Sequence, residues 1–456
     1  MKINNITSKK IKTGLTWIAA VGGFLLLLPI IIFYLRKGPE NTVVFKDVPR
    51  VFIQHKNGRY NFYKEGKPFV IKGGAGYSFM KELAMSGGNT IVCWDTAKLE
   101  TILNEAAQNH LSVIIGIDIP GVQYSNDYKN ENKVKAVFNA YSRIVLRYKD
   151  HPAAFAWCLG NELWFPNSPV YDKFYIEYNR LLDMIHNNDP NHPVCTAVIN
   201  VAKNNIFNIQ WRVPALDFIG INIYNSMRTM QEEINSIAFL WDGPYFISEW
   251  APRGGWEAPV TSWQAPIENS STENAKEYYD FFINYMPVKD PRFLGSLAFY
   301  WGSRQEYTHT FYSIFNEDGK PTEINEVLND CWKGTLTKHK SPQLAGVLMD
   351  DSLAAKDNII LGAGSLHKAA VLLKNGQQPD SLQYSWEIIK EDWSSWGKIW
   401  TNFKKPVAET SLVTDSTLQQ AVFAAPAKEG PYRIFVTVYN SKGYCATANI
   451  PFYVIE

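Results

Sequence analysis

The chain has little of what would mark a metal, a nucleotide or a nucleic acid as its partner. Its 45 basic and 44 acidic residues nearly cancel, leaving +1 over 456 residues. With no basic excess to meet a phosphate backbone, nucleic acid is not an expected partner. Only five cysteines occur, and none are spaced as a metal site or disulfide framework. Cys93, Cys158 and Cys195 fall in apolar runs, where a free thiol packs as a small hydrophobe. Cys331 and Cys445 fall in different expected domains. The eight histidines include no His-x-x-x-His pair, so neither a metal nor a cofactor is expected. No Gly-x-Gly-x-x-Gly turn follows the first strand, no phosphate loop occurs, and no serine stands in a Gly-x-Ser-x-Gly elbow. These absences argue against a dinucleotide-binding open sheet and against an esterase.

What is present is apolar and aromatic. Hydrophobic residues make up 46% and aromatic residues 14%, with 15 Trp and 24 Tyr, enough for a large core in two or three domains. Residues 15–35 form an uncharged run long enough to cross a bilayer as a helix. Lys2, Lys9, Lys10 and Lys12 precede it and only Arg36 and Lys37 follow closely. That bias places the N-terminus in the cytoplasm and the rest of the chain outside. The run continues through Pro29 to Tyr34 without a small-x-small site, so an uncleaved anchor in residues 1–40 is expected, with the membrane as one partner.

Beyond the anchor, Lys56-Asn57-Gly58-Arg59 reads as a hairpin turn between two short strands. Apolar strand runs then alternate with helical patterns over about 260 residues, the size of an eight-fold barrel. The strands are expected at 69–73, 89–94, 112–117, 154–160, 194–199, 218–224, 245–249 and 295–301. Between them, patterns such as Leu99-Ile102-Leu103-Ala106 and Tyr278-Phe281-Phe282-Tyr285 repeat at three and four. The expected fold is therefore α/β, a (β/α)8 barrel over 41–333. A polar linker at 334–345 leads to a β-sandwich of the immunoglobulin-like kind at 346–456. Trp393, Trp396 and Trp400 cluster there, for core packing or for stacking on sugars.

Two of the apolar strands end in a glutamate, Glu162 after Trp157-Cys158-Leu159-Gly160-Asn161 and Glu249 after Phe246-Ile247-Ser248. A carboxylate there points into the core, which is costly, or into a cleft where charge is useful. Taken singly, either glutamate could cap the next helix or pair with an arginine. Two carboxyl groups facing each other across a sugar are what glycosidic cleavage requires.

In this order the motifs resemble glycoside hydrolase clan A, the retaining barrel glycosidases, and most closely the barrel of family 2-type proteins. Phe69-Val70-Ile71-Lys72-Gly73 resembles the family's first strand, and Gly88-Asn89-Thr90-Ile91 its second. Trp157 to Glu162 resembles the acid/base strand, Asp217 to Tyr224 the sixth strand, Ile247-Ser248-Glu249-Trp250 the nucleophile strand, and Phe299-Tyr300-Trp301 the end of the last. The likeness spans about residues 50 to 333. Val92 stands where the family usually carries an arginine: either another residue such as Arg253 or Arg304 supplies that charge, or the site tunes its nucleophile differently, a departure that also fits a barrel that binds without hydrolysing.

The resemblance implies roles. Glu249 is the nucleophile, and Glu162 the acid/base, kept protonated by repulsion from an ionised Glu249. Asn161 meets a sugar 2-hydroxyl or else only holds the strand end, Tyr224 hydrogen-bonds Glu249, and Trp301 floors the reacting sugar, with core packing as its alternative. Trp94, Asp118, Trp164, Trp250 and Arg304 are candidate substrate contacts on the rim, with Trp256, Glu306 and His309 beside them. The expected function is a membrane-anchored retaining glycosidase or transglycosidase acting on an extracytoplasmic β-linked polysaccharide or oligosaccharide. The alternative is a non-catalytic carbohydrate-binding accessory of a membrane polysaccharide synthase.

Overall fold

The computed structural model describes residues 50–124, 126–353, 358–374, 381–391, 404–414 and 418–456. The anchor expected at 15–35 and the cluster Trp393, Trp396 and Trp400 lie outside them. Among the described residues no helix is long and apolar enough to cross a membrane.

Three short strands come first: β1 (Val51–Lys56), β2 (Arg59–Lys64) and β3 (Lys67–Phe69). They form one antiparallel sheet. Phe62 on β2 is fully buried against Phe155 and Phe218 at the starts of two barrel strands, centroids 5.0 and 5.2 Å away. Burying such a ring contributes about 1.5–3 kcal/mol and plugs the lower end of the barrel. Phe69, expected to open the first barrel strand, is drawn into this sheet instead, so that strand starts at Ile71 rather than at 69.

The barrel is a closed ring of eight parallel strands. They are β4 (Ile71–Ala75), β5 (Thr90–Cys93), β6 (Ser112–Ile117), β7 (Ala154–Leu159), β8 (Val194–Ile199), β9 (Phe218–Ile223), β10 (Tyr245–Trp250) and β11 (Phe293–Phe299). Each is followed by a helix: α1 (Met80–Met85), α2 (Leu99–Gln108), α3 (Glu131–Tyr148), α4 (Asp172–Asn188), α5 (Lys203–Arg212), α6 (Met227–Ser236), α7 (Ser271–Tyr285) and α8 (Glu323–Lys333). The strands are apolar on both faces because one face fills the barrel and the other meets the helices. Local chemistry sets the helix starts. Ser270 and Glu273 form a reciprocal capping box at α7, and Asn130 accepts from the amides of Asn132 and Lys133 at α3.

The stretch after α8 is no free tether. Gly334 ends the helix in the left-handed region (φ 68°). His339 then sits between Glu323 and Asp330 at 2.9 and 3.1 Å, and Ser341 Oγ donates to Glu326 at 2.7 Å. The polar residues that suggested a linker are spent on strapping the chain to α8.

The C-terminal region has two sheets. One orders β13 (Ser352–Leu353), β12 (Leu344–Met349), β15 (Leu366–Leu373), β18 (Gln420–Ala424) and β17 (Val413–Thr414). The other orders β14 (Ile359–Gly362), β20 (Cys445–Ile455), β19 (Gly430–Asn440) and β16 (Leu382–Lys390). All pairings are antiparallel except that of β14 with β20. Both sheets contribute to one core that includes Val347, Val371, Trp386, Phe423, Ile434 and Phe452. This region docks on the barrel beside α7, where Thr447 N donates to Ser271 Oγ at 2.9 Å and Leu344 N to Thr272 Oγ1 at 3.0 Å.

Candidate active site

With the lower end plugged, the upper end, where the strands stop, is left for chemistry. Glu162 lies just beyond β7 in the left-handed region (φ 54°). The turn before it depends on Gly160, whose φ is +85° and whose added Cβ would lie 2.2 Å from Leu163 Cδ1. A side chain there would displace the segment carrying Asn161 and Glu162.

Glu249 reaches the same mouth through a bulge. On β10, Phe246 and Ser248 face inward, packed where a Cβ on Gly220 would sit. Strict alternation would then send Trp250 inward and Glu249 outward. The register with β9 shifts between Ile247 and Glu249, so the reverse holds. Glu249 turns to the mouth, where Tyr224 OH lies 3.4 Å from its Oε2. Trp250 turns out against Tyr278 and Phe282 of α7. One extra residue in the strand re-aims a carboxylate.

Asn222 joins the two glutamates. Its Nδ2 donates to Glu162 Oε1 and to Asn161 Oδ1, each at 3.1 Å. Its Oδ1 accepts from Ser248 Oγ at 2.6 Å, next in the chain to Glu249. At 1% exposure, this amide spends both donors and its acceptor inside the site.

Burial raises the Glu162 carboxyl above its ordinary value, and the Asn222 hydrogen bond opposes the shift. Burial, followed by repulsion from Glu162, pushes Glu249 up to about 8, with Arg304 pulling it back. The expected division therefore needs correcting. The raised affinity of Glu162 for its proton comes first from lost hydration, and Glu249 too favours its protonated form near neutral pH. Glu249 sits deep, yet part of its surface stays accessible.

The arginine missing at Val92 is replaced in charge by Arg304, whose field reaches Glu249. Arg304 pairs with Glu306 at 2.6 Å and lies over the rings of Phe299 and Tyr300. Arg253 is turned away to Glu277 at 3.4 Å.

Of the other expected contacts, Trp94 is half-buried and covers Gly116 of β6, where an added Cβ would meet its ring at 2.2 Å. Asp118 is exposed just past β6. Trp164 is 57% exposed beside Tyr171. Trp256 is exposed and edges onto Tyr224 at 4.9 Å. Three expectations fail. Trp250 and Trp301 have no accessible surface, so neither can touch a sugar. Trp301 packs on Phe315 and on Trp332 of α8, a core position. Phe299, two residues earlier, meets Tyr224 and Tyr312 at the mouth instead. His309 is no rim residue either, since it pairs with Glu387 at 3.2 Å and packs on Phe435 of the sandwich.

Asn222 and Phe299 had no assigned role. The signal for Asn222 was in plain view, a lone amide within the apolar strand Phe218-Ile219-Gly220-Ile221-Asn222-Ile223.

Residues 86–255, from the end of α1 to the loop after β10, match the family described as glycosyl hydrolases family 2, TIM barrel domain. The matched stretch contains Asn161, Glu162, Asn222, Tyr224 and Glu249. Over that stretch the barrel is similar to the TIM barrel domain of glycosyl hydrolases family 2. No curated protein sequence matches the chain. Among solved structures, an endo-β-1,4-mannanase from Thermotoga petrophila is similar at 12% identity and TM-score 0.42, covering 86% of this chain and 99% of that one. A β-glucuronidase from Bacteroides uniformis is similar at 13% identity and TM-score 0.45, covering 89% and 48%. A family 2 β-galacturonidase from Eisenbergiella tayi bound to galacturonate is similar at 13% and 0.49, covering 64% and 55%. The chain spans about half the length of these last two.

Proposed function

We propose that the chain is a retaining β-glycosidase or transglycosidase, held at the outer face of a membrane by residues 15–35. Its substrate would be an extracytoplasmic β-linked polysaccharide or oligosaccharide. The observation that carries this reading is the linkage of Glu162 and Glu249 through Asn222 and Ser248 in a single mouth. In the first step Glu249, once ionised, attacks the anomeric carbon while Glu162 gives its proton to the departing oxygen. A glycosyl ester forms on Glu249 and the leaving sugar departs with that proton. Esterification removes the charge of Glu249. Glu162 then takes a proton from water, or from a sugar hydroxyl, as that oxygen displaces the ester. Tyr224, whose proton is held firmly by burial and by the nearby Glu249 charge, is placed to donate to the nucleophile.

A panel of β-linked gluco-, manno- and galacto-oligosaccharides tests the reading. The expected outcome is cleavage with the released sugar first appearing in the β configuration, and products longer than the input would identify transfer. A Glu249→Gln chain as active as the parent would overturn the nucleophile role. One feature favours the non-catalytic, synthase-associated reading: burial, followed by repulsion from Glu162, pushes Glu249 up to about 8, so that it holds its proton near neutrality. That reading expects oligosaccharide binding with no turnover at any pH.

A further inference from the structure

Large apolar side chains stand in solvent at the lower end of the barrel, the end that takes no part in the chemistry. Barrel helices run back from the mouth, so their last turns and the loops to the next strand lie at this end. Trp211 is in the last turn of α5, Phe239 in the loop from α6 to β10, Ile283 in the last turn of α7 and Val288 in the loop from α7 to β11. All four are between 50% and 61% exposed. Strands β8 to β11 are consecutive in the ring, so these residues share one arc. A groove of about 890 Å³ lies there, lined by Ala238, Ile283 and Val288 together with His55 and Gly58 of the β1–β2 hairpin. The hairpin exposes Lys56 and Arg59, and Lys289 is exposed next to Val288. A protein partner favours apolar residues pooled at a centre depleted of lysine. Separate apolar side chains among cations suit a lipid headgroup layer instead. The chain also enters the barrel at this end. Arg50 donates to the carbonyls of His151 and Pro152 at 2.9 and 2.7 Å, and Val51 N to Asn191 O at 2.9 Å, just before β7 and β8 begin. Only 49 − 35 = 14 residues separate this point from the apolar run at 15–35, a span of at most about 50 Å.

Resting on the anchored reading above, we infer that the lower end of the barrel lies on the surface of the bilayer that residues 15–35 cross. Trp211, Phe239, Ile283 and Val288 enter the headgroup layer, and Lys56, Arg59 and Lys289 meet the phosphates of anionic lipid. Contact made on so short a tether is intramolecular, at an effective concentration of about millimolar. Four apolar side chains then suffice where a free domain would not stay bound. Docking also sets the orientation of the site. The mouth that holds Glu162 and Glu249 is at the opposite end of the barrel, so it faces away from lipid and receives glycan from the extracytoplasmic space.

The test uses the full chain in vesicles of phosphatidylcholine and phosphatidylglycerol that carry a headgroup spin label. A thiol-reactive fluorophore is placed on Phe239→Cys at the lower end or on Trp164→Cys at the mouth. The native cysteines are buried or partly buried, and the unsubstituted chain sets the labelling background. The expected result is quenching of the Phe239 probe by about twofold or more, with the Trp164 probe unchanged. Trp211→Glu combined with Val288→Glu should remove about half of that quenching or more, with the melting temperature close to the parent's. Equal quenching of the two probes, or undiminished quenching in the doubly substituted chain, overturns the docking. Shielding of the Phe239 probe that ignores the spin-labelled lipid assigns this face to a second copy and also overturns it. Flotation of the vesicles separates docking from anchoring. A chain that floats with its Phe239 probe unquenched is anchored but not docked, and a chain that does not float overturns both. Quenching does not depend on turnover, so the catalytic reading stands or falls apart from it.

Discussion

At the two ends of strand β10 the barrel buries a carboxylate in opposite ways. Tyr245 opens the strand and donates to Asp290 at 3.1 Å. Asp290 also accepts from the Arg292 amide, Nε and Nη2 at 2.9, 3.0 and 2.8 Å, and from Gln231 at 3.0 Å. These donors hold its carboxyl down at about 2 although burial alone would raise it. Glu249, four residues after Tyr245, has one long hydrogen bond from Tyr224, two carboxylate neighbours and a shared arginine, and rises to about 8. The lower end satisfies its charge within the chain and so contributes stability. The upper end leaves its charge wanting, a state that only a ligand or a reaction intermediate relieves.

The sharpest way to break the contrast is to remove each carboxylate and ask what is lost. Glu249→Gln should lower turnover by on the order of 10⁴-fold, while affinity for a β-linked oligosaccharide stays within about tenfold, measured by initial rates and calorimetry. Asp290→Asn should leave chemistry nearly intact and cost about 3 kcal/mol of stability, because Arg292 then lies buried without its counter-charge. Denaturant unfolding would show the loss. Asp290 has its native pKa below the unfolded value, so the loss should hold from pH 5 to 8. It should shrink as pH falls below about 4 towards 2.

Glu249 carries the opposite sign. Its native carboxyl binds a proton more tightly than the unfolded chain does, so its contribution is favourable below about 4.5 and is lost as pH rises to about 8. Glu249→Gln should therefore melt close to the parent at pH 5 and above it at pH 8.5, by on the order of 1–2 kcal/mol. Equal melting differences at both pH values would remove the electrostatic contrast. The smallest expected effect lies at the rim. Trp164→Ala should raise KM for long oligosaccharides about three- to tenfold with little change for a short aryl glycoside, as loss of one stacking contact predicts.

How far the site was legible differs residue by residue. Strand–helix alternation located all eight barrel strands to within a few residues, since a strand buried on both faces writes itself as an apolar run. The last strand ends at Phe299 rather than at Trp301, and that offset explains the misplaced floor. Trp250 was misplaced for another reason: a bulge is a change of register between two strands and leaves no mark in either strand's own alternation. Glu306 read as a rim residue because distance along the chain says nothing of which loop folds inward.

Composition and pattern along the chain were enough to determined the layered barrel, the second β region and the two glutamates at strand ends, because apolar periodicity is a local property. Which carboxylates share a field, which arginine stands in for Val92, and which tryptophans see solvent were decided only by tertiary structure. Charge and exposure depend on neighbours hundreds of residues away, brought together by closure of the barrel.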